Sequence, residues 1–343
     1  MKRTWLILLP LLLLGACLPK DEVLQSYYSY GMVHVDSLGQ AEILPLPAIS
    51  LYSISLERLP DGRVLIVHDS LHIYNPKTQE LTEITPAGNY SYFRSPAHDL
   101  SPDGTWLYHP KFGSIRRLNL IDFSSEQVVV AGEDSYVRPV ASKDGRYLTY
   151  LRSGDGIYAT EHTGGYPLIR DLLTGETTSL ASGNSITDKY ITYAWKALNT
   201  DQVYYISSGN LMTMDMQGNN RNVIRSNISF VSESYNGRFL LCLESQNYSG
   251  SRLIYRDNQS LTWTGVPSMG NYQLCREANV VFSRNGGNLS RLDLESGQQT
   301  TVFTNRLQGR MIYSITGIAP SWNGKDVVAF VTFLDWKKDK YPL

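Results

Sequence analysis

Cysteine and histidine are scarce in this chain, and most sequence signatures of catalysis are missing. Of 343 residues, three are Cys and six are His. No G-x-S-x-G elbow occurs, which removes the usual hydrolase nucleophile. No Walker-type loop and no G-x-G-x-x-G occurs, so nothing announces a nucleotide site. Gly154-Asp155-Gly156 and Gly164-Gly165 read as loop glycines. Asp-rich calcium loops are absent too. No segment carries a long apolar period of 3.6 residues, so almost no helix is expected. Charge of one sign is also lacking, with 31 basic against 32 acidic residues. Such balance gives no reason to expect nucleic acid or an anionic surface as partner.

Apolar residues make up 42% and aromatics 11%, enough for a sizeable core and against disorder. Tyr is unusually common at 23, which suits strands and binding loops alike.

The one long apolar run lies at the start. Lys2 and Arg3 precede Trp5 to Leu14, broken only by Pro10, and Gly15-Ala16 follow. This reads as a secretion signal over residues 1–16, too short to span a membrane. Leu14-Gly15-Ala16-Cys17 resembles the lipobox of bacterial lipoproteins. That resemblance implies cleavage before Cys17 and its acylation, which anchors a protein stably when several chains are attached. Leu18 after the Cys resembles the pattern of outer-membrane cargo in Gram-negative envelopes. Loss of Lys2 and Arg3 leaves 29 basic and 32 acidic residues, a net charge near −3. Residues 17–28 then read as lipidated Cys and tether, and 29–343 as one folded domain. Export permits a disulfide between Cys242 and Cys275, but both lie in strand-like runs and are expected as buried free thiols.

Five short turns set the architecture. Pro60-Asp61-Gly62, Pro102-Asp103-Gly104, Lys143-Asp144-Gly145, Tyr235-Asn236-Gly237 and Trp322-Asn323-Gly324 lie on one lattice. Their glycines are 42, 41, 92 and 87 residues apart, or one, one, two and two periods of about 43. The Asp/Asn-Gly pair suits a tight turn because Gly accepts positive φ. Six whole units are expected near 53–85, 97–130, 137–181, 191–224, 229–266 and 272–303. Leu198 to Asp201 and Arg276 to Asn279 replace the glycine turn in the fourth and sixth. A seventh unit starts near Ile315 and stops two strands short. Met32 to Asp36 and Ala41 to Pro45 match the missing half, so the N-terminal strands should close the last blade. The fold expected is an all-β, seven-bladed propeller of four-stranded antiparallel blades, with six or eight left open by the degenerate units.

The Ser-Pro-Asp-Gly turn followed by an apolar-aromatic strand, as in Ser101 to Tyr108, resembles the TolB-like or PD40 class of propeller repeats. Similar units form the propeller of prolyl oligopeptidase-like enzymes, but no chain is left here for their hydrolase domain. The layout also resembles the oligogalacturonate lyases, which use a histidine-bound metal. The histidines of this chain do not align to such a set, so neither a metal nor another cofactor is expected. His68-Asp69-Ser70 holds triad residue types, but strand neighbours point to opposite faces. His68 and His72 read as surface or turn residues.

What remains is a recognition surface. Links from strand two to three and between blades share one end of a propeller, and there this chain varies most. Tyr92, Arg94, Tyr136, Arg138, Tyr158, His162 and Arg310 are the candidate binding residues on those links. Tyr and Arg provide large contact area with directed polar groups. Trp195 and Arg276 fall in first strands near the axis, to line the channel or pack between blades. The function expected is non-catalytic: a monomeric envelope protein, held to the membrane by lipid on Cys17, that docks a protein, peptide or glycan. The alternative is a lyase or hydrolase acting on a saccharide at the channel mouth, with His and Arg as base and charge stabiliser. A third reading is a peptidase-type propeller that has lost its partner domain.

Overall fold

The computed structural model describes residues 24–44, 55–67, 71–84, 98–130, 135–153, 165–181, 191–246, 250–266 and 271–338. It contains twenty-nine strands, β1 to β29, and among the described residues no helix. β1 (Leu24–Val35) and β2 (Ala41–Leu44) come first. Blade one is β3 (Ser55–Arg58), β4 (Val64–Val67), β5 (Leu71–Asn75) and β6 (Glu80–Glu83). Blade two is β7 (Asp99–Leu100), β8 (Trp106–Lys111), β9 (Ser114–Asn119) and β10 (Ser125–Val129). Blade three is β11 (Ser135–Ala141), β12 (Tyr147–Ser153), β13 (Tyr166–Asp171) and β14 (Thr177–Ser179). Blade four is β15 (Ile191–Lys196), β16 (Gln202–Ser207), β17 (Asn210–Asp215) and β18 (Asn222–Ser226). Blade five is β19 (Ile228–Glu233), β20 (Phe239–Gln246), β21 (Gly250–Asp257) and β22 (Thr262–Val266). Blade six is β23 (Asn271–Leu274), β24 (Val280–Asn285), β25 (Asn288–Asp293) and β26 (Gln299–Phe303). Blade seven combines β28 (Arg310–Pro320) and β29 (Val327–Lys338) with the N-terminal pair, in the order β2-β1-β29-β28, and the two-residue β27 (Arg306–Leu307) pairs with β28.

The protein is therefore a seven-bladed antiparallel propeller, closed as its sequence suggests. β1 pairs with β29 from Leu24↔Lys338 to Val35↔Val327. Pairing thus reaches back to Leu24, inside the stretch that reads as a tether.

Two turns repeat with the blades. In the first-to-second strand turn, a Ser anchors the Asp/Asn-Gly pair. Ser101 Oγ accepts from the Trp106 amide at 2.9 Å, and Asp103 Oδ1 accepts from the Thr105 amide at 3.1 Å. Ser142, Ser234 and Ser321 repeat the first bond at 2.8, 2.9 and 3.0 Å. All five lattice glycines have positive φ, between 69° and 87°. In the third-to-fourth strand turn, an Asp or Asn accepts from the amide two residues on. Asn75, Asn119, Asp171, Asp215, Asp257 and Asp293 do so, and Asp36 does the same between β1 and β2 at 2.9 Å. Side-chain capping of this kind satisfies turn amides locally.

The core is distributed between blades. Each of seven apolar clusters is shared by neighbouring blades, six of them by two blades and the one around Trp195 by blades three, four and five. The period-2 alternation of β1 serves two of them. Met32 packs toward Leu56, Val64 and Ile66 of blade one. Val33 and Val35 pack toward Val280, Phe282 and Leu289 of blade six. Cys242 and Cys275 are buried free thiols, as expected.

Both repeated turns lie on one end of the ring. The described links from second to third strand lie on the other.

Candidate functional site: the axial channel

The first strands of all seven blades surround an axial cavity of about 370 Å³. Its lining divides by chemistry. One arc is aromatic. Trp195 and Tyr193 on β15, Phe230 on β19 and Tyr272 on β23 succeed one another around the wall. Ring centroids are 5.6 Å apart for Tyr193–Trp195, 6.0 Å for Tyr193–Phe230 and 5.9 Å for Phe230–Tyr272. Bulges explain the aim of two of them. β15 slips register between Ile191 and Tyr193, and β19 between Ile228 and Phe230. An extra residue in an inner strand increases the local twist and re-aims the side chain that follows.

The other arc is charged. Glu57 and Asp99 stand at one level, each five residues before its turn glycine, Gly62 or Gly104. Arg276 bridges them: one Nη2 lies 3.8 Å from Glu57 Oε2 and 3.6 Å from Asp99 Oδ1. These are ion-pair distances without close hydrogen bonds. The guanidinium donates only weakly to the Leu100 carbonyl, at 3.5 Å. Asp99 is held more firmly, accepting from the amides of Leu100 and Ala141, both at 2.9 Å. Lys143 enters from the turn of blade three and Glu233 from the end of β19.

Burial dominates the electrostatics. It raises the carboxyls of Glu57 and Asp99 above the usual range, against the opposing pull of Arg276. Burial lowers Lys143, and the positive Arg276 lowers it further. Glu233 is raised to about 7 by burial, although the Leu198 amide and Lys143 favour its charged form. His98 is lowered to about 4 by burial and by Arg276. Desolvation of this kind moves acids up and bases down. Among the described wall residues, Thr316 Oγ1, set on a bulge of β28, is buried with no hydrogen bond. Trp195 is directed at Glu233 and favours its charged form. Unpaired polar atoms facing a cavity are ready to take a ligand's donors and acceptors.

Turns of different blades interlock at the turn-bearing end of the ring. A Cβ on Gly104 would lie 2.6 Å from Pro60 Cδ and 2.8 Å from Trp322 Cζ2. The Trp322 indole donates to the Arg58 carbonyl at 2.7 Å, and Arg276 lies over its ring at 5.9 Å.

The sequence-derived candidates separate. Trp195 and Arg276 line the channel together. Tyr136 is half-buried, edge-on to Tyr150 at 5.5 Å. Arg138 is buried at a positive φ of 53° and donates to the Thr192 carbonyl, tying blade three to blade four. Arg310 donates to Asp335 Oδ1 at 3.0 Å and to Ser29 Oγ at 2.6 Å, clamping three strands of blade seven. Arg138 and Arg310 thus spend their guanidinium groups within the fold. Cys17, Tyr92, Arg94, Tyr158 and His162 lie outside the described residues. His72 is a correction: it sits in β5 and is buried, not a surface or turn residue. His68 lies outside the described residues.

Sequence reasoning missed Glu57, Asp99, Lys143, Tyr193, Phe230, Glu233 and Tyr272. For Glu57, Asp99 and Lys143 the offset from the turns was the available signal. Two residues before a lattice glycine gives Lys143, and five before gives Glu57, Asp99 and Ser232.

A histidine-bound metal does not fit the described channel. Arg276 already occupies the space between its two closest carboxylates, and among the described residues no three His, Cys, Asp or Glu side chains converge.

No protein-family model matches the chain, and no curated protein matches it in sequence. Solved structures match its fold. An oligogalacturonate lyase in complex with manganese superposes with a TM-score of 0.59 at 15% identity, covering 90% of this chain and 97% of that one. The oligogalacturonate lyase of Vibrio parahaemolyticus gives 0.60 at 13% identity, covering 92% and 98%. A putative TolB from Agrobacterium tumefaciens gives 0.49 at 12% identity, covering 91% and 99%. At this identity the two lyase likenesses speak to fold alone.

Proposed function

We propose that the protein is a lipid-anchored recognition protein of a bacterial envelope, and that its ligand, a carbohydrate segment, enters the axial channel. One observation carries this reading: an aromatic arc faces a charged arc across a single cavity. Aromatic faces suit the apolar face of a sugar ring. Across from them, Arg276, Lys143, Glu57 and Asp99 are placed to bond hydroxyl or carboxylate groups. A few convergent polar groups in a partly apolar cavity are the common form of a ligand site. The ligand's seat is thus the channel, and the loop-bearing end serves as its entrance. Arg276 is loosely paired, so exchanging its carboxylates for ligand atoms costs little.

The test is an array of envelope and acidic glycans, followed by titration of any hit against Arg276→Ala and Phe230→Ala. Loss of binding in both variants supports the channel. Undiminished binding in both contradicts it.

A second reading, a saccharide lyase or hydrolase, has its own support. The similar folds include oligogalacturonate lyases. Lys143 and Glu233 are both moved toward neutrality by burial, as suits acid–base work. Shortening of oligogalacturonate by the protein, lost in Lys143→Ala, would favour this reading over simple recognition.

A further inference from the structure

Blade seven overhangs the ring. β24, the second strand of blade six, has six residues, whereas β29 has twelve and β1 also has twelve. Six extra residues at about 3.3 Å each carry the end of blade seven roughly 20 Å further than its neighbour. The overhang lies on the end opposite the repeated turns, where β28 and β1 begin and β29 finishes.

Its two faces differ. Cross-strand partners share a face. Ser29 stands opposite Phe333, and Phe333 opposite Ile312. Phe333 and Ile312 are buried against blade six. Arg310 closes this side over the Phe333 ring and neutralises Asp335. The opposite face carries Tyr28 across from Leu334, Tyr30 across from Thr332, and Ser26 across from Trp336. A bulge between Ile312 and Ser314 adds Tyr313, whose ring lies 5.0 Å from that of Tyr28. Tyr28, Tyr30, Tyr313 and Trp336 are 54%, 47%, 57% and 59% exposed. Large aromatics this exposed, side by side on a clamped ribbon, mark an interaction surface.

The chain itself indicates the occupant. Cys17 is seven residues ahead of Leu24, and a fully extended link of that length spans about 25 Å at most. If Cys17 is acylated, as the proposed function holds, the bilayer cannot be far from this ribbon. Tyr and Trp are the side chains enriched where a membrane meets water, because each has an apolar body and a polar tip.

We infer that the exposed face of the blade-seven overhang, with Tyr28, Tyr30, Tyr313 and Trp336, is a membrane seat that rests in the lipid headgroup layer. It fixes the propeller's orientation: the ribbon edge is held at the bilayer, and the channel mouth opens beside it. The inference rests on acylation of Cys17.

The experiment uses the full-length protein in phosphatidylcholine vesicles whose chains carry bromine near the headgroup. Wild type and Trp336→Phe are compared, and the difference between their fluorescence reports Trp336. Labelling with an alkyne fatty acid, with Cys17→Ala as control, reports the acyl chain separately. The seat predicts at least a twofold loss of Trp336 fluorescence in brominated over plain vesicles. An acylated protein with unquenched Trp336 overturns the seat and leaves the anchor intact. Absence of the acyl chain overturns both. Trp336 shielded within a dimer, detected by light scattering, also overturns the seat. Trp336→Phe is conservative, and an unchanged circular dichroism spectrum shows that the comparison is between folded proteins.

Discussion

Gly104→Ala tests whether the turns form an interlocked ring at the turn-bearing end of the propeller. Two costs are expected. The residue sits at φ 69°, where a side chain costs about 1–2 kcal/mol. The new Cβ would also lie 2.6 Å from Pro60 of blade one and 2.8 Å from Trp322 of blade seven. Both neighbours are rigid rings, and overpacking of this kind costs about 1–3 kcal/mol. The total is roughly 2–5 kcal/mol. A chain of this size unfolds with an entropy of about 0.7 kcal/mol/K, so Tm should fall by about 3–7 °C. Gly39→Ala is the matched control. Its φ is 77°, and nothing lies within 4 Å of its Cβ position. It should show the backbone cost alone, about 1–2 kcal/mol. Scanning calorimetry on both variants measures the difference. If Gly104→Ala costs no more than Gly39→Ala, the turns do not interlock as described.

Further outcomes follow from the same structure. Met32 is fully buried between blade seven and blade one, so Met32→Ala should cost about 2–5 kcal/mol in urea unfolding. A cost under 1 kcal/mol would mean that the N-terminal strand is not part of the ring. Glu233 has its folded pKa raised to about 7, above the 4.5 of an unfolded carboxyl. The folded state therefore holds this proton more tightly, and stability falls as pH rises from 4.5 to 7. At about 1.36 kcal/mol per unit the loss is on the order of 3 kcal/mol, and Glu233→Gln should flatten that part of a Tm–pH profile. Parallel profiles would refute the assignment. Burial raises the thiols of Cys242 and Cys275 well above the ordinary value, so neither should react with a thiol reagent until the protein unfolds. Prompt labelling of either in the native state would contradict their placement.

The architecture was legible because it is local. An Asp/Asn-Gly turn needs only its own residues, so Gly62 to Gly324 revealed the period before any contact was known. The Asp or Asn of the outer turn is a still fuller signal. It recurs from Asp36 to Asp293 in all seven blades and marks β1–β2 as an outer hairpin. The site was less legible because it is not local. Glu57 and Arg276 are 219 positions apart in sequence and meet only when the ring closes. The bulges that aim Tyr193 and Phe230 leave no distinct residue pattern in β15 or β19. Placement in first strands picked out Trp195 and Arg276 near the axis, whereas Tyr and Arg composition in the links cannot separate a ligand contact from a structural one. Arg138 ties blade three to blade four, and Arg310 clamps the strands of blade seven.

The most direct test of the channel as the seat of recognition is calorimetric titration of the best glycan-array ligand into wild type, Phe230→Ala and Arg276→Ala. The account predicts that each substitution weakens binding at least tenfold, while Arg117→Ala on the outer face of blade two leaves it unchanged. Equal affinity in wild type and both channel variants would contradict it.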